Sequence, residues 1–462
     1  MFASDIYVSR RKKLKEEIHS GLALFMGNEE SPRNFPANPY KFRQDSTFLY
    51  FFGLDSPGLA GIVNADEDQE ILFGREATAE DVVWAGPQPL LKDRALLAGV
   101  GKTLPLDKLE AYLKKAKQQK RQIHYLPPYR QEISIRLGNL LGIPAAHVGN
   151  FTSLTLIKAV IRQRLVKIKE EIDEIERAVN ITRDMYLAGM KICKSRIYER
   201  EIVGKMEGIA IAAGSHMAFP TALTMNAGYL NNFQYGNMLE KGRLVLCDCG
   251  AESPMHYASD ITRTVPVDGE FTRKQKEIYE IVLKAQLQAI QNMKPGVKFR
   301  DIHMQAARTI TCGLKDLGLM SGDIDEAVEK GAYALFFPHG VGHLVGLDVH
   351  DMEDLGEDLV GYNTNIKRSD QFGLAQLRYA KALQEGLVLT AEPGIYFNPT
   401  LFDRWKAQNK YSDFINYNRV EKYRNFGGIR IEDDVLITEK SSRILGTHIP
   451  KTVTEIANCT GK

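Results

Sequence analysis

The segment Leu244–Glu252, LVLCDCGAE, places an aspartate inside an apolar run. A carboxylate in a buried strand is costly unless it is paired or binds a cation. Side chains alternate along a strand, so Asp248 points away from the face shared by Cys247 and Cys249. Shortly after, ASDITRT presents Asp260. Each aspartate alone reads equally as a salt-bridged strand end, a turn or a cap. Two strands side by side would bring both carboxylates to one point. Farther on, FFPHGVGHLVGLDVHD (Phe336–Asp351) holds three of the chain's 10 histidines, His339, His343 and His350. Gly340, Gly342 and Gly346 between them let the backbone come close to a ligand. His339 and His343 have the spacing of a zincin His-Glu-x-x-His pair, but Gly340 stands where the glutamate would be, which excludes that helix. LTAEPGIYF and GGIRIEDDVLIT then set Glu392 and Glu432 in apolar, strand-like runs, with Arg430 on the strand face of Glu432.

Four carboxylates and an imidazole on separate strands suit a pair of divalent cations. Oxygen ligands favour hard ions and an imidazole favours a transition metal, so Mn2+ fits best. The charges also balance approximately. Four carboxylates and a hydroxide bring five negative charges against the four of two divalent cations, which neither set could bury alone.

Such a site needs several strands from distant parts of the chain. The 462 residues, 44% apolar and 26% charged, describe a soluble globular protein of two or three domains. A net charge of +2 argues against nucleic acid as a partner. No apolar run reaches the ~18 residues of a membrane span. Met1 to Glu17 carries Arg10, Arg11, Lys12 and Lys13 with no apolar stretch behind them, which does not read as a signal peptide. Five cysteines without a Cys-x-x-Cys motif suggest reduced thiols in the cytoplasm.

The first third alternates compact apolar runs with helical ones. Leu22–Met26, Phe48–Phe52, Gly61–Val63 and Ile71–Phe73 read as strands, and Glu76–Val83, Asp107–Lys117 and Gln131–Leu141 as helices. A long helix is expected from Leu165 through Met185, and two more at Lys274–Met293 and Phe299–Leu317. Strands are expected at Leu244–Cys249, Thr262–Val267, Leu387–Phe397 and Ile429–Thr438. The stretches Gly356–Lys381 and Pro399–Phe426 read as irregular excursions from the core.

After the strand aspartate, the motifs DITRT, HGVGH, EPGIYF and IRIEDD in this order resemble the pita-bread metallopeptidases, and within them the aminopeptidase P and prolidase branch. FRQDSTFLYFFG (Phe42–Gly53) resembles part of the N-terminal domain of aminopeptidase P. The resemblance implies an α+β protein. A smaller α/β N-terminal domain over about residues 1–155 would precede a pita-bread catalytic domain over 156–462. It implies that Asp248 chelates one metal, that Asp260 and Glu432 bridge both, and that His343 and Glu392 complete the other. A water or hydroxide between the ions would be the nucleophile. His339 and His350 would line the substrate pocket and stabilise the tetrahedral intermediate, Glu392 would also serve as general base, and Arg430 would anchor the bridge.

The implied reaction is hydrolysis of the bond between an N-terminal residue and a following proline in small peptides. Prolidase activity on Xaa-Pro dipeptides is the alternative, since the two share every metal ligand. A homodimer or homotetramer is implied as well. The chain departs from its relatives at Asn231, where they carry a pocket histidine. That leaves a third possibility, a peptide-binding or scaffold protein of weakened activity.

Overall fold

The computed structural model describes residues 1–230 and 232–461. The expectation for Asn231 lies outside the described residues. The chain divides into two compact units, Met1–Leu165 with Met352–Gly356, and Val166–Asp351 with Glu357–Lys462.

The first unit is built on a mixed sheet of β1 (Leu22–Met26), β2 (Ala60–Asn64), β3 (Gln69–Gly74), β4 (Lys102–Pro105) and β5 (Ile123–His124), in the order β4-β3-β2-β1-β5. The β1–β2 and β2–β3 pairs are antiparallel, while β4 and β5 join in parallel at the two edges. Alternate residues Leu22, Leu24, Ile62, Ile71 and Phe73 pack on Leu109, Leu113 and Leu137 of the helices Leu109–Gln118 and Gln131–Leu141.

The expected strand at Phe48–Phe52 is instead a helix, Ser46–Phe52. Its seven residues are all buried, so no polar face marks a helical period. Its ends decide the matter: the Asp45 carboxylate accepts from Phe48 N at 2.7 Å, and Gly53 closes the helix at φ 66°. The helix expected at Glu76–Val83 starts later, at Ala79–Ala85, because Thr78 and Asp81 form a capping box there. The single long helix expected from Leu165 is also corrected. One helix ends at Leu165 and the next runs Lys169–Ile192. Between them Lys167 N donates to Gly386 O (2.8 Å), and Ile168 N donates to the Glu171 carboxylate (3.0 Å), which restarts the helix.

The second unit holds three small antiparallel sheets. The strands β6 (Ala222–Thr224), β7 (Leu244–Cys249) and β8 (Ile261–Pro266) form the first. The strands β9 (Val388–Ala391), β12 (Asp433–Ile437) and β13 (Ser442–Ile444) form the second, in the order β13-β12-β9. The pair β10 (Gly394–Tyr396) and β11 (Gly428–Arg430) forms the third. Helices Arg273–Asn292 and Phe299–Asp316 pack along one another, as do Lys169–Ile192 and Glu199–Ala212. The two expected excursions contain short helices, among them Glu357–Gly361 and Pro399–Ala407. Among the described residues no helix is long and apolar enough to cross a membrane.

Two strands expected as continuous are broken, and both breaks fall on a candidate ligand. Leu387–Phe397 splits at Glu392 and Pro393, where proline removes a ladder N–H. Ile429–Thr438 splits at Ile431 and Glu432. Across the second break Glu432 N donates to Thr262 O at 3.1 Å, so the sheet containing β8 continues onto the chain that carries Glu432.

The turn joining β7 to β8 depends on one missing side chain. A Cβ on Gly250 would lie 1.7 Å from Ser259 O, so only glycine lets the two chain segments cross there. Gly204, on the exposed side of helix Glu199–Ala212, has open space around it. Gly250→Ala is therefore expected to cost at least about 1–3 kcal/mol of stability. Gly204→Ala is expected to gain about 0.4–1 kcal/mol. Melting temperatures shifted in opposite directions are the expected result, and a Gly250→Ala protein as stable as the parent would contradict the close crossing.

Candidate metal centre

Asp248 lies on β7 opposite Thr262 of β8, and Asp260 directly precedes β8. The two aspartates thus meet across an antiparallel pair. Asp260 N donates to Asp434 Oδ2 at 3.0 Å, which ties the start of β8 to β12. The histidine segment is not helical. It runs beside β9: Thr390 N donates to His343 O (2.9 Å), His343 N donates to Thr390 Oγ1 (3.1 Å), and Glu392 N donates to Val341 O (2.8 Å). A Cβ on Gly342 would sit 2.1 Å from Thr390 O, so this approach requires glycine. The pairing sets His343 and Glu392 on neighbouring segments facing one space.

Asp260, His343 and Glu432 each offer one ligand atom, all within 4.8 Å of one another, and all three side chains are buried. Asp248 and Glu392 stand beside this tightest group. His343 Nε2 is 3.3 Å from Asp260 Oδ2 and 3.7 Å from Glu392 Oε1. Arg430 draws in Asp248, pairing with its Oδ2 through Nη2. Arg430 Nε donates to Thr262 Oγ1 at 2.9 Å, and Thr262 Oγ1 donates to Glu432 Oε2 at 2.5 Å. His339 Nδ1 donates to Gly340 O (2.8 Å) and lies 3.7 Å from Glu392 Oε2. The His350 ring packs on His343 with centroids 4.2 Å apart.

The electrostatics of the metal-free protein show how poorly these groups tolerate one another. Burial pushes Asp260 well above the usual carboxylate range, and Glu432, Asp248, Asp434 and Glu392 push it further. Glu432 is raised for the same reason, by burial and then by Glu392 and Asp248. Glu392 is pushed up to about 7 by burial, with Arg430 opposing. Burial opposes the charge of Arg430, but Tyr396, Asp248, Glu432 and Glu392 outweigh it and keep Arg430 protonated. His343 falls well below its ordinary value through burial and the nearby His350, and His339 falls to about 3 through burial and Arg430. Both imidazoles are therefore neutral.

Several features fit a divalent cation. The Leu344 carbonyl can only accept, so His343 Nδ1 donates to it (3.1 Å), and Nε2 presents a lone pair to Asp260 and Glu392. A lone pair facing two carboxylates is repulsive without a cation between them. Asp248 Oδ1 and Asp260 Oδ1 are buried and have no hydrogen-bond partner among the described residues. Unsatisfied buried carboxylate oxygens are expensive, and a coordinated cation removes that cost.

The sequence did not single out three of the residues that hold this arrangement. Thr262 follows Asp260 at the same-face spacing of a strand, which was a readable signal. Tyr396 accepts from Arg430 Nη1 (2.8 Å), and its Oη donates to His339 Nε2 (2.9 Å), as that ring's other nitrogen holds the proton. Asp434, the third, accepts from Asp260 N. His256 pairs through Nδ1 with Glu252 Oε2 at 2.6 Å.

A model of metallopeptidase family M24 matches residues 173–439, and a model of the aminopeptidase P N-terminal domain matches residues 7–124. The chain is 30% identical to the Xaa-Pro dipeptidase of Homo sapiens, over 98% of this chain and 93% of that one. It is also 30% identical to the Xaa-Pro aminopeptidase of Haemophilus influenzae, over 98% of this chain and 96% of that one. The solved structure of Pseudomonas aeruginosa aminopeptidase PepP superposes with a TM-score of 0.81 at 27% identity, covering 99% of this chain and 98% of that one.

A ligand that binds only the folded state stabilises it, by about 2.7 kcal/mol at a concentration 100 times its dissociation constant. Mn2+ added to metal-stripped protein is therefore expected to raise the melting temperature. Asp260→Asn and Glu432→Gln should keep the circular dichroism spectrum of the parent and lose that response. A parent protein whose melting is unmoved by any divalent cation would contradict the fit.

Proposed function

The chain belongs to metallopeptidase family M24, and from that premise we propose that it is a Xaa-Pro aminopeptidase working with two divalent metal ions. In this reading the N-terminal α/β domain spans about residues 1–155 and the pita-bread catalytic domain 156–462. Asp248, Asp260, His343, Glu392 and Glu432 would hold the ions, with Asp260 and Glu432 shared between them. The observation that carries the reading is the convergence of Asp260, His343 and Glu432 within 4.8 Å, deep in a site where two carboxylate oxygens lack partners among the described residues. The mixture of carboxylate and imidazole favours Mn2+.

When bound, the cations lower the pKa of a water and polarise the scissile carbonyl. The side chains do the rest. Glu392, 3.7 Å from His343 Nε2 and 3.7 Å from His339 Nδ1, is placed to take the proton of the attacking water and pass it to the leaving proline nitrogen. His339 and His350 line the pocket and stabilise the tetrahedral intermediate. His339 is neutral, and its orientation is fixed by Gly340 O and the Tyr396 hydroxyl. Arg430 holds Asp248 directly and Glu432 through Thr262, so both carboxylates keep their direction.

A Xaa-Pro dipeptidase is the second reading, supported by relatives of both kinds at equal identity. Hydrolysis of Xaa-Pro-Xaa tripeptides and Xaa-Pro dipeptides, measured side by side with Mn2+, separates the two. Tripeptides are expected to be cleaved at least as fast as dipeptides. Cleavage confined to dipeptides selects the second reading, and no cleavage of either selects a binding protein on the same fold.

The proposal includes a cytoplasmic location and a homodimer or homotetramer. In the first unit the helices Ala79–Ala85 and Leu91–Leu97 leave Trp84 83% and Val83 78% exposed, with Leu96 and Leu97 also open. Apolar side chains so bare support an interface between copies. Light scattering is expected to give the mass of two or four chains, and Trp84→Glu a smaller assembly. A monomeric parent would end the oligomer reading.

A further inference from the structure

Arg263 is 1% exposed, and all five of its guanidinium N–H groups are used. Nη1 donates to Thr262 O (2.9 Å) and Glu432 O (2.6 Å), and Nη2 to Asp433 Oδ1 (2.6 Å) and Ile449 O (3.2 Å). Nε donates to Pro450 O at 2.8 Å. One planar group therefore spans the strand break at Glu432 and ties it to a segment near the end of the chain.

The anchor behind Arg263 is itself buried and paired. Asp433 Oδ2 accepts from Lys451 Nζ (2.6 Å) and Gln286 Nε2 (2.7 Å), and Lys451 Nζ also donates to Gln286 Oε1 (3.1 Å). Burial opposes ionisation of Asp433, but Arg263 and Lys451 outweigh it and hold the carboxyl down at about 2. The Lys451 carbonyl accepts from Tyr279 Oη (2.8 Å) on helix Arg273–Asn292. Asp433 follows Glu432 directly and pairs across the sheet with Ala391, which precedes Glu392. A residue fixed at Asp433 therefore fixes the chain next to two candidate ligands on different strands.

We propose that Arg263 is a positioning residue of the metal centre, held in place by Asp433, Lys451 and the backbone of residues 449–450. The inference rests on the reading of the carboxylate cluster as a metal site. Arg263 touches no candidate ligand atom. It acts on the carbonyls of Thr262 and Glu432, the two residues whose side chains are joined by the Thr262–Glu432 hydrogen bond. Without its fork the break at Ile431 and Glu432 loses the donor that holds the Glu432 carbonyl, and with it the backbone from which the Glu432 side chain projects. Lysine could supply the charge but not five donors in one plane.

The test is calorimetric titration of metal-stripped full-length protein with Mn2+, for the parent, Arg263→Lys and Lys451→Met. Circular dichroism and melting of each metal-free protein accompany it. Loss of partners that orient metal ligands typically weakens binding 10–100-fold. Arg263→Lys is expected to raise the Mn2+ dissociation constant by about that factor while keeping the parent's spectrum. Lys451→Met, which leaves Arg263 and Asp433 paired, is expected to raise it by a smaller factor. Should Arg263→Lys fail to fold, Lys451→Met decides. A variant that melts lower when metal-free but binds Mn2+ as the parent does has lost only scaffold, and that overturns the proposal. A parent that binds no Mn2+ removes the metal reading itself, and the inference with it.

Discussion

Four carboxylates crowded into one buried space are the constraint on which the catalytic unit depends. Two unit charges about 4 Å apart interact by about 4 kcal/mol at an effective dielectric constant of 20. Asp260 and Glu432 offer ligand atoms within 4.8 Å of one another, Asp248 and Glu392 add their repulsion, and Arg430 brings a positive charge to the group. The raised carboxyl groups of Asp260, Glu392 and Glu432, the lone pair of His343 turned toward two acids, and the oxygens of Asp248 and Asp260 that lack partners among the described residues all express burial with too little positive charge. Divalent cations would relieve it, and binding them would then also contribute to folding.

The scaffold spends its irregularities on holding that arrangement. Strands break at Glu392 and Glu432 rather than at neutral positions. Glycines stand where the chain crosses too closely for a Cβ, at Gly250 between the two aspartates and at Gly342 beside β9. Around them runs a connected set of hydrogen bonds, from His339 through Tyr396 to Arg430 and Thr262 and on to Glu432. Each member of that set uses a partner that also touches another, so the candidate ligands are oriented together rather than one at a time.

Much of the catalytic unit was legible in the sequence. A carboxylate in an apolar strand is an anomaly that demands a partner, and four carboxylates and a histidine segment in a recognisable order pointed to one family. What the sequence concealed has physical causes. The all-apolar run Phe48–Phe52 carries no period, and only Asp45 and Gly53 at its ends reveal a helix. The break at Glu432 was hidden because the β-branched neighbours Ile429, Ile431 and Val435 continue the strand pattern through it, whereas Pro393 was a readable signal for the break beside Glu392. Arg263 and Thr262 sit inside DITRT, but their partners come from residues far along the chain, and no local pattern announces contacts of that range. Tyr396 looked like an ordinary apolar strand residue until its hydroxyl was seen between His339 and Arg430.

In the proposed function the carboxylate cluster holds two cations at once. Anomalous diffraction from crystals grown with Mn2+, recorded on both sides of the manganese absorption edge, tests it most directly. Two anomalous peaks are expected in each chain, both within coordination distance of Asp260 and Glu432, one also reached by Asp248 and the other by His343 and Glu392. A single peak, or density elsewhere with these five side chains unchanged, would contradict it.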